Sequence, residues 1–199
     1  MKTSEIEILV VPGNRSGDDH WQTRWRRNLK TARQVEQANW QHPDRDAWVG
    51  TLISTIAKTA SDLPLVLIAH SLGVATVAHA AAELPAATIA GAFLVAPADV
   101  DHSDSWPFAE GCGFDVEACG FKPLPKAPMS FPSVVVASSN DPYCSERRAR
   151  ALAEMWGSNF ISAGACGHIN SASGHGPWPE GLMQFGWFLK RISELRGAN

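Results

Sequence analysis

The chain predicts a three-layer α/β/α fold with a mostly parallel, six-stranded sheet. Three observations carry this expectation. Short β-branched apolar runs alternate with helical segments, and such repeats cross over from one parallel strand to the next. The run Leu65 to Ala69 is apolar at every position, as expected of a strand covered on both faces. The chain has 199 residues, 45% of them hydrophobic, which suits one domain over residues 1–199 with a core that needs no staples.

Ile6 to Val11 reads as the first strand, because the β-branched run ends at Pro12-Gly13. Trp21 to Lys30 has helical character with aromatics on one side. Gln34 to Trp40 is the second strand candidate. Asp46 to Ala60 carries Trp48, Leu52, Ile53 and Ile56 at helical spacing, and Pro64 resets the chain before the third strand at Leu65 to Ala69. Leu72 to Leu84 is Ala-rich, with no Pro and no Gly after Gly73, and is expected to be a buried helix. Ile89 to Ala96 and Val134 to Ser138 read as two more buried strands. Ser145 opens a helix running to Trp156, Asn159 to Ala163 is the last strand, and Leu182 to Leu195 a closing amphipathic helix. Between Pro97 and Pro132 the pattern lapses into Pro, Gly and aromatics. A loop of that length is expected to be functional or mobile, and a lid over residues 98–131 is one reading.

The net charge is −3 with the charges scattered, which excludes the basic face of a nucleic-acid binder. No apolar run approaches the roughly 20 residues of a membrane span, and acidic residues interrupt the N-terminus before a signal peptide can develop. A cytoplasmic protein is the expectation. Cys112, Cys119, Cys144 and Cys166 match no zinc-pair spacing, so no metal is expected. Free thiols are the expected state, a Cys112–Cys119 bridge across a loop being the minor alternative.

In a parallel sheet the chemistry is sought at the carboxyl ends of the strands. After Leu65–Ala69 comes His70-Ser71-Leu72-Gly73, close to the Gly-x-Ser-x-Gly nucleophile elbow with Ala69 at the first glycine. That motif places a serine on a sharp strand-to-helix turn, where small neighbours let strand and helix approach. The blander role for Ser71 is a helix cap. A serine nucleophile needs a base, and the base an orienting acid. Asp141 follows the Val134–Ser138 strand; its bland alternative is a turn or cap before the next helix. His168, in Gly167-His168-Ile169-Asn170, follows the last strand, and the order Ser, Asp, His fits the motif. His175 is the rival base. His70 adjoins Ser71, but the turn is expected to aim it elsewhere. Cys166 lacks an elbow and reads as a packing residue. Two backbone N–H groups are needed for an oxyanion; Leu72 is expected to supply one and Asn14, in the loop after the first strand, the other. His20, Trp21, Trp106 and Phe108 are candidate substrate contacts, and the aromatics with Leu72 suggest an apolar acyl or aryl group. Phosphate-binding glycine patterns are absent.

The ordered set Pro12-Gly13-Asn14, His20-Trp21, Ala69-His70-Ser71-Leu72-Gly73, Ala96-Pro97, Phe131-Pro132-Ser133, Ser139-Asn140-Asp141-Pro142-Tyr143, Gly167-His168-Ile169-Asn170 and Gly176-Pro177-Trp178-Pro179-Glu180-Gly181 spans nearly the whole chain. It resembles the small serine-hydrolase family that includes the retinoblastoma-binding hydrolase of animals and short bacterial proteins. The resemblance implies an abbreviated α/β-hydrolase fold without the first antiparallel strands, with Ser71 as nucleophile, Asp141 as acid and His168, rather than His175, as base. His175 stands where an apolar residue is expected. Binding of the retinoblastoma protein does not carry over, and the sequence has no Leu-x-Cys-x-Glu segment. The implied activity is hydrolysis of a small ester, thioester or amide through an acyl-enzyme, carboxylesterase-like and without a cofactor. The partner is then a small acyl substrate, with neither nucleic acid nor membrane, and the chain a monomer or homodimer. The alternative is a catalytically idle hydrolase fold serving as a binding or scaffold module. Haloalkane chemistry would need an Asp at position 71.

Overall fold

Six strands form one sheet: β1 (Glu7–Val11), β2 (Ala32–Gln34), β3 (Leu65–Ser71), β4 (Gly91–Pro97), β5 (Ser133–Ala137) and β6 (Asn159–Ser162). The computed structural model describes residues 1–14, 16–59, 62–85, 88–107 and 115–197. The strand order is β2-β1-β3-β4-β5-β6, and every pairing between neighbours is parallel. The "mostly parallel" sheet of the sequence reading is thus parallel throughout. The order reverses between β1 and β3, and such a switch point opens a crevice at the strand carboxyl ends.

Residue parity divides the sheet into two cores, because successive side chains point to opposite faces. Leu9, Val11, Leu67, Ala69, Leu94 and Val135 face α2 (Arg45–Ala57), α3 (Leu72–Ala81) and α4 (Glu146–Trp156). Ile8, Val10, Val66, Ile68, Phe93 and Val136 face α1 (Trp21–Asn28) and α5 (Pro179–Gly197). Two-sided burial explains why these strands are apolar without alternation. The helices begin where the chain supplies caps. Asp44 accepts from the Ala47 N–H at 2.8 Å, and Ser145, the start expected for α4, accepts from Arg148 N–H at 3.2 Å. Among the described residues no helix is long and apolar enough to cross a membrane.

Two expectations need correction. The second strand is Ala32–Gln34, not Gln34–Trp40; Ala32, Arg33 and Gln34 pair with Ile8, Leu9 and Val10. An edge strand has one covered flank, so β2 is polar and shows no apolar run, while Asn39 ties the following segment into a turn by accepting from the Gln41 and His42 N–H groups. Second, much of the stretch between Pro97 and Pro132, expected as a functional or mobile loop with a lid as one reading, is core. Val116, Cys119, Phe121, Leu124 and Phe131 are buried on the α2–α3 face, and the Phe121 ring meets Trp48 edge-on. Residues 108–114, with Phe108 and Cys112, lie outside the described residues.

Candidate active site

The β3–α3 junction is a sharp turn. Ser71 has φ 56° and ψ −124°, a conformation that costs on the order of 1–3 kcal/mol in a non-glycine residue. Backbone packing holds it. A Cβ on Gly73 would overlap the Val11 carbonyl oxygen and lie 2.8 Å from that of Pro12. A Cβ on Gly13 would lie 2.7 Å from Ser71 Cβ and 3.1 Å from Leu72 N. These two glycines let the β1 loop press against the turn. Ala69, where the motif has glycine, puts its methyl into the core beneath. β4 bends to match: its pairing with β3 shifts at His70–Ser71, and Ala96 has a φ of 46°.

Asp141 and His168 come from the loops after β5 and β6. The His168 Nδ1–H donates to the Asp141 carboxylate, with oxygens at 2.9 and 3.0 Å. That tautomer leaves Nε2 as an acceptor, and the Ser71 hydroxyl donates to it at 2.9 Å. The Asp141 carboxylate is almost wholly buried, at 1% side-chain exposure, and also accepts from the Tyr143 N–H at 2.9 Å. The Tyr143 ring lies 4.5 Å from the His168 ring.

Side chains to which the sequence assigns no role stitch the two loops together. Asn140 Oδ1 accepts from Gly167 N–H at 2.7 Å and from the Ser138 hydroxyl at 2.8 Å. Ser138 Oγ accepts from Cys166 N–H at 2.9 Å. The one available signal was their place beside Asp141, since polar residues flanking a strand-end acid have loop N–H groups to satisfy.

Of the candidate substrate contacts, Trp21 and Trp106 do not form a wall. Trp21 has no exposed surface and its indole N–H donates to the Ile169 carbonyl at 2.9 Å. Trp106 is buried, donates to the Tyr143 carbonyl at 2.9 Å and packs edge-on against the Tyr143 ring. Large aromatics seek the core when their N–H can find a partner, so both brace the site from behind. The Leu72 side chain is likewise core, at 2% exposure. His20 caps α1, its Nδ1 accepting from Gln22 N–H at 3.2 Å. Its ring lies 4.7 Å from that of His70, and burial, with His168 and His175 nearby, lowers its pKa to about 4. His20 is therefore neutral near pH 7. His175 bonds to Ser173 Oγ at 3.2 Å, whereas the bond to Ser71 Oγ comes from His168. Cys119, Cys144 and Cys166 are free. Burial pushes the Cys119 and Cys144 thiols up, which makes them poor nucleophiles.

Known proteins share this fold. A YdeN-like hydrolase from Pectobacterium atrosepticum superposes with a TM-score of 0.79 at 30% identity, over 96% of this chain and 94% of that one. The ydeN gene product of B. subtilis gives 0.71 at 18% identity, over 93% and 99%. An esterase from Thermogutta terrifontis, at 13% identity, shares the fold with a TM-score of 0.63 over 96% and 84%. No curated protein matches the sequence. The serine hydrolase family model matches residues 8–187, and with that span and the Pectobacterium likeness the chain belongs to the serine hydrolase family.

Proposed function

We propose that the protein hydrolyses a small carboxylic ester, thioester or amide by acyl transfer through Ser71. The observation that carries this is the unbroken hydrogen-bond chain from Asp141 through His168 to Ser71 Oγ, ending on a strained serine at the head of a helix. His168 Nε2 takes the hydroxyl proton as Ser71 Oγ attacks the carbonyl carbon. Asp141 keeps the imidazole in the tautomer that accepts this proton and stabilises the imidazolium that results. The carbonyl oxygen, now an oxyanion, is held by the N–H groups of Leu72 and Asn14. Leu72 opens α3, so its N–H has no partner within the helix, and Gly13 brings the Asn14 loop against it. One such donor is worth about 3–4 kcal/mol in the transition state. His168 then protonates the leaving alcohol, thiol or amine. Water, deprotonated by His168, releases the acid and restores Ser71.

The other reading, an idle fold used as a binding module, predicts no turnover. Hydrolysis of p-nitrophenyl acetate separates the two. The acyl-transfer reading expects turnover that His168→Ala abolishes; no turnover of this ester or of a panel of graded esters and aminoacyl esters would leave the binding module.

A further inference from the structure

His70 occupies a position that the mechanism above does not use. Parity along β3 puts it on the same face as Val66 and Ile68, toward α1 and α5, while Ser71 turns away into the elbow. There its Nε2–H donates to the main-chain carbonyl of His168 at 2.9 Å, across 98 residues of sequence. The next carbonyl, that of Ile169, accepts from the Trp21 indole N–H at 2.9 Å. Two buried donors from different elements thus grip consecutive carbonyls of the loop that carries the base.

The backbone there needs such a grip. Gly167 and Ile169 flank His168 with φ values of 57° and 47°. Positive φ in a β-branched residue is an outlier, and it persists where the surroundings over-determine it. The His70 ring also packs against the His168 ring, with centroids 4.9 Å apart. Burial and the nearby imidazoles of His20 and His168 hold the His70 pKa well below its ordinary value, so it serves as a neutral donor.

We propose that His70 is a positioning residue: its Nε2–H fixes the main chain of His168 and thereby keeps the base within reach of Ser71 Oγ. Trp21 makes the second point of the same clamp. The inference rests on His168 being the base. It predicts a defect in the chemical step rather than in substrate binding, because a misplacement of about 1 Å can cost roughly 100-fold in rate.

The test uses the full chain with p-nitrophenyl acetate and separates kcat from KM. His70→Phe keeps a planar ring and removes the donor. Its kcat is expected to fall by about 30- to 100-fold, with KM within about threefold. His70→Gln, whose amide reaches about as far as the imidazole Nε2, is expected to recover kcat to within about tenfold of the parent. Should His70→Phe fail to fold, Trp21→Phe carries the test, with the same fall in kcat at unchanged KM. The proposal is overturned if a folded His70→Phe keeps its kcat, if KM rises in place of the fall in kcat, if His70→Gln is as impaired as His70→Phe, or if the substituting Trp21→Phe leaves kcat unchanged. Activity that persists in His168→Ala defeats the underlying assignment of the base, and the positioning role with it. That outcome is distinct from full loss in His168→Ala beside an unimpaired His70→Phe.

Discussion

The elbow at Ser71 and the loop at His168 stand 2.9 Å apart at their tips and are held by different means. At the elbow, backbone packs on backbone. Gly13 and Gly73 bring the β1 loop so close that neither position has room for a methyl. In the histidine loop, side chains from elsewhere do the holding. Ser138 and Asn140 accept its N–H groups, while His70 and Trp21 donate to its carbonyls. Steric crowding yields a rigid element that fails all at once. A set of hydrogen bonds, each worth roughly 0.5–1.5 kcal/mol, yields one that loosens by degrees. Substitutions at the elbow are therefore expected to cost stability, and those around the loop to cost rate first.

The largest effects concern the groups proposed to react. Ser71→Ala or His168→Ala is expected to lower kcat by on the order of 10^6-fold, and Asp141→Ala by about 10^4-fold, as for triad members that act as a unit. Steady-state kinetics with melting curves as a folding control decide this; losses below about tenfold for His168 would break the comparison at its centre. Next is Gly73→Ala. Its new methyl meets main-chain oxygens that cannot rotate away, so urea denaturation should show a loss of at least about 3 kcal/mol, the upper end for overpacking. A neutral result would mean that the elbow is not held by close approach.

An effect of similar size concerns pH. The folded His20 pKa is about 4 against an ordinary 6.5, so between these values the unfolded chain binds the extra proton. Stability is then complete above about pH 6.5 and falls as the pH drops toward 4. His20 contributes on the order of 3 kcal/mol to that loss, at about 1.4 kcal/mol per unit. His70 adds in the same direction. Urea midpoints at pH 7 and pH 5 check the slope, which should shrink in His20→Gln. The smallest effect is that of Asn140→Ala. Losing the acceptor for Gly167 N–H should loosen the histidine loop and lower kcat by roughly tenfold, within the range of a small misplacement, while leaving the urea midpoint near that of the parent. A stability loss without a rate loss would place Asn140 with the elbow, not with the loop.

The same contrast decides what could be read from the sequence. The elbow is a local matter: strand, turn and helix are contiguous, and Leu65 to Gly73 carries its own signature. The buried strands were legible because two-sided burial writes itself as unbroken apolar runs. β2 escapes the sequence reading, which predicts the strand at Gln34–Trp40, because an edge strand with polar residues has no such run. Asp141 and His168 are legible as strand-end residues in the motif's chain order, and the structure brings them together with Ser71. From the sequence, the turn is expected to aim His70 away from Ser71. It does leave the serine, but it reaches the back of His168, and only the folding of β6 against β5 brings that carbonyl to it. Trp21 and Trp106 read as pocket walls because an aromatic near a site has the same letter whether it faces substrate or core.

The most direct test of the account treats the protein with a fluorophosphonate and maps the adduct by mass spectrometry. The expected result is one phosphonyl group on Ser71, formed rapidly in the parent and slowed by orders of magnitude in His168→Ala. An adduct on another residue, or labelling of Ser71 that is equally fast without His168, would contradict it.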